Sequence, residues 1–359
     1  MLRSSTAISR RLLLASGLTT TLGPLAARAD SPAALQFPRD LGSHPDFAIE
    51  WWYVTGRALS GQREFGFQLT FFRSRVAATQ GMTSAFAARQ LIFAHAAVTD
   101  VAGKKFWHDQ RIAREGFEVA RMSLSDTGIR LRDWSLQHVG TEYRLHAASG
   151  DFELDLSLRE SQAVLLQGAG GRSRKGPREQ QFSLYYSLPQ LEVKGTLGLA
   201  KERLAVQGAA WLDHEWSDAL LDPAAVGWDW IGINLEGGAA LTAFQLRDKA
   251  GQAIWDGGSF RHPNMGARPY AFSHGEVRFK PLRRWTSPLT RASYPVEWMV
   301  QTPADFYTVK AIIDHQELDS RASTGAVYWE GLSEVLDSNG RLVGRGYLEM
   351  TGYAHPLRL

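Results

Sequence analysis

The chain has 359 residues, of which 44% are hydrophobic, 21% charged and 11% aromatic, with Trp 12 and Cys 0. This composition excludes a disordered polymer, a disulfide scaffold and a Cys-ligated zinc or iron–sulfur site. The formal charge of +3 rests on Arg3, Arg10, Arg11 and Arg28; without these four, 36 basic residues face 37 acidic ones, so no nucleic-acid partner is expected.

In chain order, residues 1–29 read as an export signal. Ser9-Arg10-Arg11-Leu12-Leu13-Leu14 opens a modest apolar stretch through Leu25, and Ala27-Arg28-Ala29 makes a small-x-small cleavage site. The arginine pair points to the twin-arginine route, with an ordinary secretory signal as the alternative. With no cysteine after the stretch, no lipid anchor is expected. The expected location is periplasmic or otherwise exported, as a soluble chain cleaved near Ala29. Residues 30–43 read as a linker. No later apolar run approaches the length of a membrane-spanning helix.

After residue 45 the dominant period is two. Phe65, Phe67, Leu69 and Phe71 alternate with Gly66, Gln68 and Thr70, and Phe152, Leu154, Leu156 and Leu158 with Glu153, Asp155 and Ser157. Such alternation predicts half-buried antiparallel strands, and Gly- and Asn-rich turns recur between them. The class is all-β.

The chain also resembles itself. A shift of 177 lays Ala48, Ile49, Trp51, Tyr53, Gly61, Phe67, Gln68 and Leu69 on Ala225, Val226, Trp228, Trp230, Gly238, Phe244, Gln245 and Leu246; a shift of 138 lays Arg203-Leu204 and Gly208 on Arg341-Leu342 and Gly346. An internal duplication follows, giving two tandem antiparallel β-barrels over residues 44–217 and 218–359. Barrels of this size hold one small apolar ligand. The glycine-rich basic stretch from Gln167 to Gln181 lacks the order of a phosphate-binding loop and reads as a solvated hairpin connection.

Trp211-Leu212-Asp213-His214-Glu215-Trp216 is the densest chemical cluster. On a strand, Trp211, Asp213 and Glu215 share one face, and Leu212, His214 and Trp216 the other. An acid held against indole rings loses solvation and gains the raised pKa of a general acid. The competing reading makes Asp213 and Glu215 rim ion pairs and His214 a bonded core residue. Under the 138 shift the acids meet Thr351 and Tyr353, so a single site in, or opening from, the first barrel is expected. If that barrel closes first strand to last, Glu50-Trp51-Trp52-Tyr53 lies beside the Asp213 strand. The candidate catalytic residues are therefore Asp213, His214 and Glu50. The candidate ligand-binding aromatics are Trp211, Trp216, Trp52, Tyr53 and Tyr185. Trp228-Asp229-Trp230 and Tyr328-Trp329-Glu330 read as core or inter-barrel packing. HEXXH, GxSxG and a linked Ser/His/Asp set are absent from the sequence, so no metal and no cofactor is expected.

The segments HPDFAIEWWYVTGRAL, REFGFQLTFFRSR, LYYSLPQLEVKGTL, AAWLDHEWSD, GWDWIGINLEGG and GRGYLEMTGY resemble the AttH-type lipocalin-like proteins grouped with carotenoid 1,2-hydratases (CrtC). The resemblance covers about residues 44–355 and implies two lipocalin-like barrels. In the hydratase branch a Tyr-x-Asp motif supplies the acid that protonates a terminal alkene. Asp213 matches that acid, whereas Trp211 stands in place of the tyrosine and Glu215 departs from the pattern. The expectation is an exported protein enclosing an apolar ligand, isoprenoid or lipid-like. Two readings stand side by side. In the first, a cofactor-independent hydro-lyase uses Asp213 as acid, Trp211 and Trp216 to stabilise the cation, and His214 or Glu50 to hold water. In the second, the protein is a non-catalytic carrier or accessory of an ABC-type exporter. Oligomeric state is not legible in the sequence.

Overall fold

The computed structural model describes residues 34–218, 221–265 and 268–357. The proposed export signal and its cleavage site lie outside them. Among the described residues every helix is a short 3-10 turn, and none is long and apolar enough to cross a membrane. All else of regular structure is strand, arranged as two antiparallel sheets.

Both sheets are built to one plan. In the first, the opening strand Ile49–Ser60 lies between Arg63–Arg75 and the closing strand Glu202–Ser217, which in turn pairs with the long penultimate strand Phe182–Leu199. In the second, the opening strand Gly227–Leu235 lies between Ala240–Arg247 and the closing strand Leu342–Met350, followed by the penultimate Ala326–Leu336. Each half therefore joins its first strand to its last, as the closure argument expects. The first sheet curls until Gln90–Asp100 and Lys105–Arg114 touch Gly128–Leu131, nearly completing a barrel.

Alternation decides what each face meets. Along the opening strand Trp52, Val54 and Ala58 enter the first barrel's core with Phe67, Leu69 and Phe71. The second barrel has its own core around Ile231, Ile233, Val296 and Trp329. A third apolar cluster joins the barrels: Tyr53, Trp211, Trp230, Phe244, Leu332 and Tyr347 come from the outward faces of both sheets. Strands near this seam are buried on both sides, hence their unusual density of aromatic residues. Of the residues before the first strand, 41–43 are buried, with Leu41 in the first core, while Gln36, Phe37, Pro38 and Arg39 are exposed.

One sequence correspondence does not survive. Phe67 points into the first barrel, whereas Phe244 lies in the layer between barrels. In the first hairpin Arg57 pairs with Gly66, but the equivalent Asn234 pairs with Ala240. The following strand has thus slid by three residues, and an odd slip turns every side chain to the other face. Leu241, paired with Ile233 as Phe67 is with Gly56, takes the inward place of Phe67.

Candidate active site

The barrel interiors are filled by packed side chains, and the chemistry lies between them. A cavity of about 290 Å³ opens against the outward faces of both sheets, bordered by Trp51, Tyr53, Tyr185, Asp213 and Glu215 of the first and Trp228, Trp230, Phe244, Tyr328, Glu330 and Glu349 of the second. Strand register places them. Tyr53 stands opposite Asp213 and Trp51 opposite Glu215, while Ser187 and Tyr185 flank the same acids from the other side. The expected cavity inside the first barrel is replaced by one in the seam, because both outward faces there are aromatic.

Asp213 is buried, and its oxygens are unequally used. Oδ1 accepts from Trp211 Nε1 at 2.6 Å and from Ser187 Oγ at 2.5 Å; Oδ2 accepts only from Tyr185 Oη, at 2.7 Å. These donors are committed. Ser187 itself accepts from Gln167 Nε2 at 2.8 Å, and Tyr185 from Trp230 Nε1 at 3.3 Å. Burial pushes the Asp213 carboxyl up to about 7, against the opposing pull of its hydrogen bonds and with some repulsion from Glu215. With Oδ1 saturated, a bound proton sits on Oδ2. The chain of bonds reaches across the seam, since Gln167 also contacts Thr242 and Ser259 of the second barrel.

Glu215 is differently held: the buried Lys175 lies 2.9 Å from it, Ser183 donates to it, and the ammonium rests 4.2 Å from the Phe244 ring centre. The segment containing Lys175 was expected to be a solvated hairpin. Instead Gln167, Ser173, Lys175 and Gln181 are all buried, and Lys175 borders the cavity, because its charge finds a carboxylate partner there.

The second half also supplies acids, contrary to the asymmetry expected from the 138 shift. Trp228 donates its backbone N–H to Thr351 Oγ1, and Trp230 pairs with Glu349, as Trp51 does with Glu215 and Tyr53 with Asp213. The structural offset is 136, so Glu349 rather than Thr351 is the counterpart of Asp213. A slip of two preserves the face of every side chain, which is why alternation could not expose it. The signal was present in Tyr347-x-Glu349, which echoes Trp211-x-Asp213. Glu330 lies directly opposite Glu349 on the neighbouring strand. Burial raises Glu349 to about 7, helped by repulsion from Asp213 and Glu215, and raises Glu330 well above the usual carboxylate range, helped by repulsion from Glu349. His95, also missed, borders the cavity, bonds Tyr328 Oη at 2.8 Å and is held neutral by burial.

The other half of the expected site faces away. Glu50, His214, Trp52 and Trp216 belong to the inward face of the first wall; of the four, Glu50 borders the cavity. The Glu50 carboxylate receives Arg73 Nε at 2.8 Å, Ser43 Oγ at 2.7 Å, His44 Nδ1 at 2.8 Å and His214 Nε2 at 2.9 Å. Trp216 stacks on His44 at 3.7 Å and Trp52 on His214 at 4.4 Å. Burial pushes His214 down to about 4, while its partners hold Glu50 far below the usual carboxylate range. This is a fully occupied ion-pair network: the side-chain oxygens of Glu50 and the ring nitrogens of His214 all have partners, and Trp216 and Trp52 pack in the first core rather than against the cavity. Alternation sends these side chains inward. His44, Glu50 and His214 bring their ligand atoms within 4.8 Å of one another, the spacing of a metal centre. They do not fit one, since the Arg73 cation already occupies the carboxylate and opposes a second positive charge.

The AttH-like family profile matches residues 28–353, and the chain belongs to that family. Its structure resembles the crystal structure of a candidate AttH from Nitrosomonas europaea, with 45% identity, a TM-score of 0.83, and coverage of 90% of this chain and 98% of that one. It also resembles kievitone hydratase from Nectria haematococca, with 12% identity, a TM-score of 0.70, and coverage of 91% and 95%; at that identity the likeness is one of fold. No curated protein matches the chain.

Proposed function

We propose that this AttH-family protein takes an apolar, isoprenoid or lipid-like molecule into the cavity between its barrels and adds water to a carbon–carbon double bond. The observation that carries this reading is Asp213: a buried carboxyl raised to about 7 by loss of solvation, with one oxygen available for a proton, in an aromatic-walled cavity. Such a group keeps its proton in about half of the molecules at pH 7 and gives it up without a large driving force. The same fold in a protein named as a hydratase supports the choice of chemistry.

The Oδ2 proton passes to the less substituted alkene carbon, forming a C–H bond and leaving a tertiary cation. The faces of Trp51, Trp228 and Trp230 stabilise that charge. Water forms the C–O bond and returns a proton to the Asp213 carboxylate, so the enzyme is unchanged. Trp211, Ser187 and Tyr185 hold the carboxyl in place and stabilise the carboxylate while the cation exists. Export by residues 1–29 belongs to the same proposal and places this chemistry outside the cytoplasm.

The test uses purified protein with kievitone and with acyclic isoprenoid alkenes in ¹⁸O-water. Hydration gives products heavier by one labelled water. Tight binding of these molecules with no labelled product in any case overturns the enzymatic reading in favour of a carrier.

A further inference from the structure

The acids of the second wall have no role in the step above, and their surroundings are incomplete. Glu330 is 2% exposed and borders the cavity, yet neither of its oxygens has a hydrogen-bond partner among the described residues. The one donor beside it is the Tyr53 hydroxyl, also buried, which lies close enough to interact with the carboxyl but outside ordinary hydrogen-bond geometry. A buried carboxyl with no well-placed donor and no counter-charge is disfavoured as its anion, and Glu349 directly opposite adds to this. The cations nearest in the fold are already committed: Lys175 to Glu215 and Arg73 to Glu50. By contrast Asp213, in the matching place of the first wall, has three donors.

Aromatic faces surround the pair. Trp230 is the register partner of Glu349, Trp228 lies two residues along the same face, and Tyr328 lies two residues from Glu330 on its own strand. Gly232 makes room for this arrangement, since a Cβ there would meet the Trp230 ring at 2.2 Å. Two facing carboxyls inside an aromatic enclosure match the needs of an organic ammonium ion. The carboxyls supply charge and acceptors, and the rings supply their negative faces.

The geometry points to a cation-binding end of the cavity: Glu330 and Glu349 together take the head of a protonated amine, whose apolar body lies against Trp228 and Trp230. This rests on the cavity being the ligand site but not on any hydration chemistry. In the empty protein the pair avoids repulsion by keeping its protons. An arriving ammonium replaces them, so binding releases protons to the buffer. The other titratable groups facing the pair are Asp213, Tyr53, Tyr328, Tyr347 and His95, together with Glu215 and its Lys175.

The experiment is calorimetric titration of the full chain at pH 7 with 2-phenylethylamine and with its neutral counterpart 2-phenylethanol, each in two buffers of different ionisation enthalpy. The expected result is about tenfold or tighter binding of the amine, with a buffer-dependent heat seen for the amine alone. Glu330→Gln and Glu349→Gln, which keep shape and lose charge, should each reduce the preference to within about threefold. Glu334→Gln, on the same strand outside the cavity, should leave it intact. Equal binding of amine and alcohol, or an amine preference that survives both glutamine variants, overturns the inference. Hydration activity found alongside equal binding would overturn this inference alone, and amine selectivity without turnover would overturn only the hydratase reading.

Discussion

Asp213 and Glu349 hold the same place in their two sheets: each lies on a closing strand, opposite an aromatic residue of the opening strand, and both border one cavity. The duplicated barrels therefore face each other through equivalent surfaces, and the site belongs to the pair rather than to either barrel. The two carboxyls differ in their support. Three fixed donors hold Asp213, whereas neither oxygen of Glu330, opposite Glu349, has a hydrogen-bond partner among the described residues.

Replacing Asp213 with Asn keeps size and polarity but removes the transferable proton. If Asp213 is the acid, turnover of any substrate identified with labelled water should fall by about 10²–10⁴. Ligand affinity should stay within a few-fold of the parent. Unchanged turnover would remove Asp213 from the mechanism.

The raised carboxyls set the pH dependence. Asp213, ordinarily near 3.8, and Glu349, ordinarily near 4.5, both titrate at about 7 in the folded chain. Below about pH 4 both are protonated in either state, so folding carries no penalty from them. As pH rises from about 4 to about 7 the unfolded chain loses these protons first, and stability falls; above about 7 the loss is complete. Because the buried His214 and His95 act in the opposite direction below about pH 6.5, the check is a comparison: in urea unfolding, Asp213→Asn and Glu349→Gln should each lose less stability between pH 5 and pH 8 than the parent. Turnover should likewise decline above about pH 7. A parent and variants with identical pH profiles would refute these assignments.

Glu50 should behave as a structural anion. Changing it to Gln leaves the Arg73 guanidinium buried without its counter-charge, which costs about 3–5 kcal/mol. Denaturant unfolding should show that loss, while the folded fraction retains its turnover per molecule. A selective loss of turnover with stability unchanged would return Glu50 to the catalytic site. Added zinc should not raise the unfolding temperature of the parent, since Arg73 holds the position a metal would need.

The export proposal has its own check. Replacing Arg10 and Arg11 with Lys should hold precursor in the cytoplasm, and the mature chain of the parent should begin at Asp30. Normal export of the variant would exclude the twin-arginine route while leaving the destination open.

The sequence by itself determined the strands, their doubling and the family. Alternation needs only the neighbouring residues of one strand, and a repeated pattern needs only the chain compared with itself. It also singled out Asp213, since an acid flanked two residues away by Trp211 on the same strand face is visible locally. Tertiary structure decided which face of each wall meets the other barrel. Asp213 and His214 are adjacent in sequence, yet one reaches the cavity and the other the first core, and only the packing of the second sheet tells which face is which. It decided too that Lys175 is drawn inward by Glu215, and that Glu330 and Glu349 come together across two strands. Those pairings depend on register: a shift of two residues between the halves leaves the alternation unchanged while moving charges by a whole residue pair, and the slip of three in the opening hairpin exchanges the faces of a strand.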